Sequence, residues 1–193
     1  MKRVVVTGLG LVTPLGCGVN HSWDNLLSGI SGVKKITKFD PINHKCKVAC
    51  EVPLGSAIDG KFNPEEWIEK KEIKKIDDFI QFSMAASEQA FLDSKIQIST
   101  ELSLRSGAII GSGIGGLPGI ERAALDYYVN KKKISPFFIT GRLINMAAGY
   151  ASLKYNLKGP NYATVSACAS GAHAIGESVR LIQSGKMDLM LTG

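Results

Sequence analysis

The residue whose surroundings best suit chemistry is Cys168. It lies in VSACASGAHAIG, residues 165–176, among alanine, serine and glycine, side chains too small to fill a core. Upstream, NYATVSA has the short, partly β-branched run of a buried strand; downstream, SGAHAIGESVRLIQS has helical spacing. Cys168 is therefore expected on the sharp turn between strand and helix. A side chain there is held at the sheet edge and aimed at solvent or ligand, like the nucleophile elbow of hydrolases. A helix N-terminus offers unpaired N–H groups and partial positive charge, which raise the thiolate fraction of a cysteine placed there. The small neighbours Ala167, Ala169, Ser170 and Gly171 let a substrate backbone approach the sulfur and leave the Cys168 N–H free to donate to an oxyanion. This setting suits a nucleophile that takes an acyl group as a thioester. From the turn alone, the other reading is a structural cysteine buried between strand and helix.

The elements that must position this turn follow from the apolar pattern. RVVVTG, RSGAIIGSG, NYATVSA and DLMLTG read as strands buried on both faces, the first spanning Arg3 to Thr7. Helical patterns alternate with them: His21 to Ser28, a long stretch from Asn63 to Ser94, GIERAALDYYVN, TGRLINMAAGYASLKY, and a last helix from about Cys168 to Gln183. In the long stretch Asn63 is a candidate N-cap with Pro64 at the first helical position, and Ile76, Phe79, Ile80, Met84 and Ala90 recur near helical spacing. In the last helix Ala172, Ile175, Val179 and Ile182 share one face, and Ser184-Gly185 stops it. Strands alternating with helices predict an α/β fold, a parallel or mixed sheet covered by helices. Residues 31–62 read as a surface excursion.

With 193 residues, 45% hydrophobic and 21% charged, the chain fits one ordinary globular domain. Cys17, Cys46, Cys50 and Cys168 lack the spacing of a secreted disulfide framework, so reduced thiols in the cytoplasm are expected. Cys46, Cys50 and His44 lie close in sequence, but no second pair completes a zinc site, and no metal is expected. The Lys2-Arg3 start before an apolar run imitates a signal peptide, yet Gly8, Gly10, Pro14 and Gly16 interrupt it. No run approaches the length of a membrane span. KMDLMLTG stops at its glycine just where a strand should meet its next turn, the pattern of a cut chain.

Several ordered motifs resemble the β-ketoacyl-acyl-carrier-protein synthases, the elongating condensing enzymes of bacterial type II fatty-acid synthesis. TVSACASGAHAIG is similar to their nucleophile motif, RVVVTGLGLVTPLG to their opening strand and loop, and GSGIGGL, residues 111–117, to their central glycine-rich loop. KISPFFI (133–139), NMAAG (145–149) and KGPN (158–161) follow in the family order. The resemblance implies a thiolase-like layered α/β fold, a mixed sheet with helices on both faces, usually in a homodimer. Residues 1–193 would be its N-terminal half. It implies that Cys168 accepts an acyl chain from acyl carrier protein, and that the acyl-enzyme condenses with decarboxylating malonyl carrier protein without a cofactor. It implies that Ile114 gates the acyl chain and that Phe138 and Ala167 line its pocket; for Ile114 and Phe138 the alternative is ordinary core packing. The family's catalytic histidines, in HGTxTxxGD-like and GHxxGAAG-like segments, and its second oxyanion donor have no counterpart in these residues. His21, His44 and His173 match neither segment. His173 lies five residues after Cys168, about 140° around a helix, and reads as structural. This chain alone is therefore expected to lack condensing activity.

The net charge of +6 is concentrated in places. EKKEIKK carries Lys70, Lys71, Lys74 and Lys75 at spacings that share one helical face, and Lys131, Lys132 and Lys133 form a second cluster. A solvated basic face is the plain reading. The resemblance implies that Lys71, Lys74, Lys75, Lys132 and Lys133 dock an acidic acyl carrier protein. Nucleic acid is disfavoured, since no aromatic residues interleave the lysines as stacking platforms. GLGLVTPLG and GSGIGG match phosphate loops only loosely and lack a Gly-Lys-Ser/Thr element. The competing functions are a noncatalytic carrier-binding or dimer-partner module, against which Cys168 argues, and a thiolase-type acyltransferase, against which VSACASG and KISPFF argue.

Overall fold

Three of the short apolar runs meet side by side. In a computed structural model that describes residues 2–193, they form a three-stranded parallel sheet, with Ser106–Ile109 between Asn161–Tyr162 and Leu189–Thr192. In chain order the elements are β1 Val12–Thr13, β2 Gly16–Cys17, α1 Val19–Leu27, β3 Lys34–Lys35, β4 Val48–Ala49, α2 Lys70–Ile73 and α3 Asp78–Ser94. There follow α4 Thr100–Leu104, β5 Ser106–Ile109, α5 Leu117–Tyr128, α6 Met146–Tyr155, β6 Asn161–Tyr162, α7 Ser170–Gln183 and β7 Leu189–Thr192. β5 is the central strand and is buried along its whole length. It pairs with β7 from Ser106↔Leu189 to Ile109↔Thr192, and with β6 at Ala108↔Asn161 and Ile109↔Tyr162. The sheet is thus wholly parallel; the antiparallel pairs, β1–β2 and β3–β4, are separate two-stranded ladders.

Helices cover the sheet because strand side chains alternate between faces. Leu191 joins Ala108, Ala148 and Leu157 beneath α6, while Met190 faces a cavity of about 230 Å³ shared with Ile175, Val179 and Ile182 of α7. α3 lies on α6, where Ile68, Ile76, Ile80, Met84 and Ala151 form the larger apolar cluster. Ile80 and Ala151 are fully buried there; burying a side chain of the size of Ile80 contributes roughly 1.5–3 kcal/mol, and the single methyl of Ala151 about 0.8 kcal/mol.

Five sequence expectations change. Of NYATVSA only Asn161–Tyr162 is strand, at the edge of the sheet, and both residues are exposed. Arg3 to Thr7 joins no ladder, and Val5 and Val6 are exposed. The segment that follows lies against α3: the N–H groups of Leu9 and Leu11 donate to Asp93 Oδ2 (2.9 Å) and Gln89 Oε1 (3.0 Å). Gly10 makes that approach possible, since a Cβ there would sit 1.9 Å from the Ala86 carbonyl oxygen. Side chains of α3 have taken the place of a neighbouring strand as acceptors. The stretch from Asn63 is not one helix. Asn63 Oδ1 accepts the Glu65 N–H and starts only a single 3₁₀ turn, Pro64–Glu66; α2 and α3 then form separately because Asp77 is extended and its N–H donates to Gly141. The helix expected across TGRLINMAAGYASLKY begins at Met146. In α7 the buried ridge is Ser170, Ala174 and Ser178, whereas Ala172 and Ile175 are exposed. Small side chains let α7 lie close to the β5–β7 pair, and the branched stripe turns instead toward the cavity beside Val4, Val5 and Val6.

Candidate active site

The turn at Cys168 begins where β6 has ended. Ser166 is the last residue before a 3₁₀ turn, Ala167–Ala169, which runs directly into α7. Ala167 has φ +50°, in the left-handed region that a residue with a Cβ enters at a penalty of roughly 1–2 kcal/mol. This kink sets Cys168 at the mouth of α7 as an exposed, free thiol. The Cys168 N–H has no backbone acceptor among the described residues, as the oxyanion role requires.

Hydrogen bonds hold the turn from three sides. Ser170 Oγ accepts the Ser166 N–H (2.9 Å) and donates to the Ala167 carbonyl (2.7 Å). Thr164 Oγ1 donates to the Ser170 carbonyl (2.7 Å). Ser166 Oγ bonds to His173 Nδ1. The glycine-rich loop, residues 111–116, packs on the same turn. The Ser112 N–H donates to the Thr164 carbonyl (3.3 Å) and the Gly111 N–H to that of Gly193 (2.7 Å). A Cβ on Gly111 would stand 2.5 Å from the Ser170 backbone, and one on Gly113 would stand 3.3 Å from the Ala167 carbonyl oxygen.

Among the other residues singled out in the sequence, Ile114 stands 67% exposed, Phe138 is half-buried and Ala167 is exposed beside the thiol. Gly113, the residue before Ile114, lies against the Ala167 backbone. His173 is exposed and its ring is tied to Ser166, with no bond to Cys168. The lysines do not share one helical face, because α2 stops at Ile73. Lys71 pairs with Glu69 (2.6 Å), Lys132 with Asp126 (3.0 Å), and Lys75 with Glu72 (2.7 Å) while lying over the Phe137 ring. Lys74 and Lys133 form no ion pair among the described residues. Among those residues no cluster of His, Cys, Asp or Glu is arranged to hold a metal, and Cys46 and Cys50 are exposed free thiols.

Sequence reasoning missed one feature that joins these regions. Asp77 Oδ2 accepts the Gly119 N–H at the start of α5 (3.0 Å), and its other oxygen lies 3.3 Å from Arg142 Nε. That contact is an ion pair without hydrogen-bond alignment; the directed bond from Arg142 runs from Nη1 to the Lys75 carbonyl (3.0 Å). Burial pushes the Asp77 carboxyl up, against the pull of Arg142 and of the Gly119 N–H. With the Gly116 N–H donating to the Arg142 carbonyl (3.0 Å), the lysine segment, the glycine-rich loop and the 137–142 segment are held to one another. Asp77 and Arg142 are 65 residues apart in sequence, and no local spacing signals the pair.

Known proteins share both sequence and fold. The 3-oxoacyl-[acyl-carrier-protein] synthase 2 of Rhizobium meliloti (strain 1021) is 48% identical over 197 residues, covering all of this chain and 46% of the relative. The protein of the same name from Coxiella burnetii (strain RSA 493 / Nine Mile phase I) is 45% identical, with 45% of its length covered. The chain thus spans about half the length of the curated relatives it matches. Among solved structures, a β-ketoacyl synthase from Burkholderia phymatum STM815 superposes with a TM-score of 0.79 at 28% identity, covering 98% of this chain and 46% of that one. A ketosynthase from a complex with its type II polyketide acyl-carrier protein shares the fold at a TM-score of 0.78 and 22% identity, covering all of this chain and 50% of that one. These neighbours place the layered α/β architecture in the thiolase-like class. The match to the β-ketoacyl synthase N-terminal domain extends over residues 1–193, and the chain belongs to that family.

Proposed function

We propose that this chain carries the nucleophile of a 3-oxoacyl-[acyl-carrier-protein] synthase, with Cys168 as the acyl acceptor. The observation that carries the reading is the exposed thiol at the start of α7, beside a left-handed Ala167 and an unbonded backbone N–H. The thiolate attacks the thioester carbonyl of an acyl carrier protein, the Cys168 N–H meets the developing oxyanion, and the carrier thiolate leaves. The chain itself accounts for this transfer. The later condensation with malonyl carrier protein, which releases carbon dioxide and lengthens the chain by two carbons, is proposed for the whole protein. Incubating the chain with acyl-loaded carrier protein should give one acyl adduct by intact mass, mapped to Cys168 and lost in Cys168→Ala, without β-ketoacyl product. Adducts spread evenly over the four cysteines would refute the nucleophile reading, and β-ketoacyl product would refute the restriction to transfer.

The docking partner in this reading is the acidic acyl carrier protein, received by Lys71, Lys74, Lys75, Lys132 and Lys133. Ile114, Phe138 and Ala167 border the bound acyl chain. Three of the lysines would exchange a surface carboxylate for one on the partner, while Lys74 and Lys133 are already unpaired. Charge reversal at Lys74 and Lys133 should therefore slow association at low salt about tenfold and matter little at high salt. Unchanged association at low salt would sink the docking reading. The free thiols support a reducing, cytoplasmic setting, and no helix among the described residues is long and apolar enough to cross a membrane. A homodimer of the whole protein belongs to the same proposal and is to be checked by sedimentation.

A further inference from the structure

We infer that Ser170 is the positioning residue of the Cys168 turn, its hydroxyl bridging the residue before the strained position and the strained residue itself. The inference rests on the reading of Cys168 as nucleophile. Ala167 is neither glycine nor an Asn or Asp able to stabilise a left-handed backbone with its own side chain, so the conformation must be imposed from outside. Ser170 is 3% exposed, and its Oγ uses both kinds of hydrogen bond, accepting from the Ser166 N–H and donating to the Ala167 carbonyl. These two bonds close a loop over residues 166–170 with Cys168 at its centre. The Ser166 N–H precedes the helix and has no helical acceptor, so without the hydroxyl it loses its one protein partner among the described residues. Thr164 Oγ1 braces the Ser170 carbonyl from outside, and the bare Cα of Gly111 lies against the same backbone. Removing Oγ lets Ala167 relax to an ordinary φ and swings the thiol and the Cys168 N–H out of register with one another. His173 acts on the outer side through Ser166 Oγ and leaves the Ser170 bridge intact.

Site-resolved alkylation with iodoacetamide, followed by peptide mass spectrometry, tests this in the 193-residue chain. The exposed thiols Cys46 and Cys50 serve as internal references in the same molecule. In the parent chain Cys168 should react faster than either. Ser170→Ala should slow Cys168 about tenfold and leave Cys46 and Cys50 unchanged, since small displacements of a reacting group cost large factors. Ser170→Thr, which keeps the oxygen, should restore most of the rate, and Ser166→Ala, which removes only the His173 partner, should change it less than about twofold. Thr164→Val, a milder disturbance, should slow Cys168 alone by about threefold. If parental Cys168 is fast and neither Ser170→Ala nor Thr164→Val alters it, the positioning role is overturned and the nucleophile reading stands. If all thiols shift together in both variants, the hydroxyl merely supports the fold and the role is likewise overturned. If parental Cys168 is no faster than Cys46 and Cys50, the nucleophile reading falls and takes the positioning role with it.

Discussion

At the scale of single residues, the site depends on what is missing as much as on the thiol. Gly111 and Gly176 make the point by contrast, because the same substitution should have opposite effects. A Cβ at Gly111 would stand 2.5 Å from the Ser170 carbonyl carbon and oxygen, and backbone at the head of α7 cannot move aside cheaply. Gly111→Ala should therefore destabilise the chain by about 1–3 kcal/mol and slow acylation of Cys168 as α7 is displaced. A Cβ at Gly176, within α7, would meet nothing within 4 Å. Gly176→Ala should stabilise by up to about 1 kcal/mol through helix propensity and leave acylation unchanged. Urea unfolding of both variants, with acyl transfer measured alongside, checks the pair; equal effects would mean that the glycine-rich loop does not press on the turn. The sequence showed that small residues surround Cys168 and that a turn must lie there. It did not show which of them hold the turn. Ser170 reads as one more small neighbour until its hydroxyl is seen between Ser166 and Ala167, and hydrogen-bond direction leaves no trace in spacing.

At the scale of elements, the lysine segment shows why periodicity ran too far. Ile80 and Met84 do recur on the buried face of α3, while Ile76 lies ahead of that helix and only joins the same apolar cluster. Helical spacing continues through the lysines, but the backbone at Asp77 is drawn out by Gly141 and its side chain by Gly119 and Arg142, so tertiary contacts break what local pattern would extend. The Asp77 and Arg142 side chains are only 16% and 18% exposed, so removing the cation leaves a largely buried carboxylate unpaired. Arg142→Gln should lower stability at neutral pH by about 3 kcal/mol. The sign with pH follows from burial, which raises the Asp77 carboxyl. A carboxyl raised in the fold favours folding when protonated, and that contribution fades as pH rises through its folded value. Acid should accordingly relieve the variant, and the gap to the parent should narrow as pH falls toward about 4. Asp77→Asn combined with Arg142→Gln should recover much of the loss. Chemical denaturation at the two pH values decides it: a gap independent of pH would mean that Arg142 acts by packing alone.

At the scale of the whole molecule, alternating strand and helix signals sufficed for a layered α/β fold, and β5 and β7 lie where their apolar runs predicted. The opening run and NYATVSA are the exceptions: the latter keeps only Asn161–Tyr162 as an exposed edge strand, and strand propensity at Val4 to Val6 cannot reveal whether the neighbouring edge is within reach. The chain's start is instead fastened to one end of the sheet through Asp188, just before β7. Its carboxylate lies 3.1 Å from Arg105 Nη2 and 3.3 Å from Lys2 Nζ, while Arg105 also donates to the Gly185 carbonyl (2.8 Å) and the Asp188 N–H donates back to the Arg105 carbonyl (2.9 Å). The Arg105 hydrogen bond, aided by Lys2, pulls the Asp188 carboxyl down to about 2. An unfolded aspartate titrates near about 3.9, so the folded chain binds this proton more weakly than the unfolded one. The stabilisation is therefore complete above about pH 5 and is lost as pH falls toward about 2. Asp188→Asn should unfold at lower urea than the parent near neutrality, and the two midpoints should converge across that acid window. Because the ion pairs are solvent-exposed, added salt should shrink the neutral-pH gap. A gap that persists unchanged down to pH of about 2 would show that the carboxylate's charge plays no part in fastening the chain's start to the sheet.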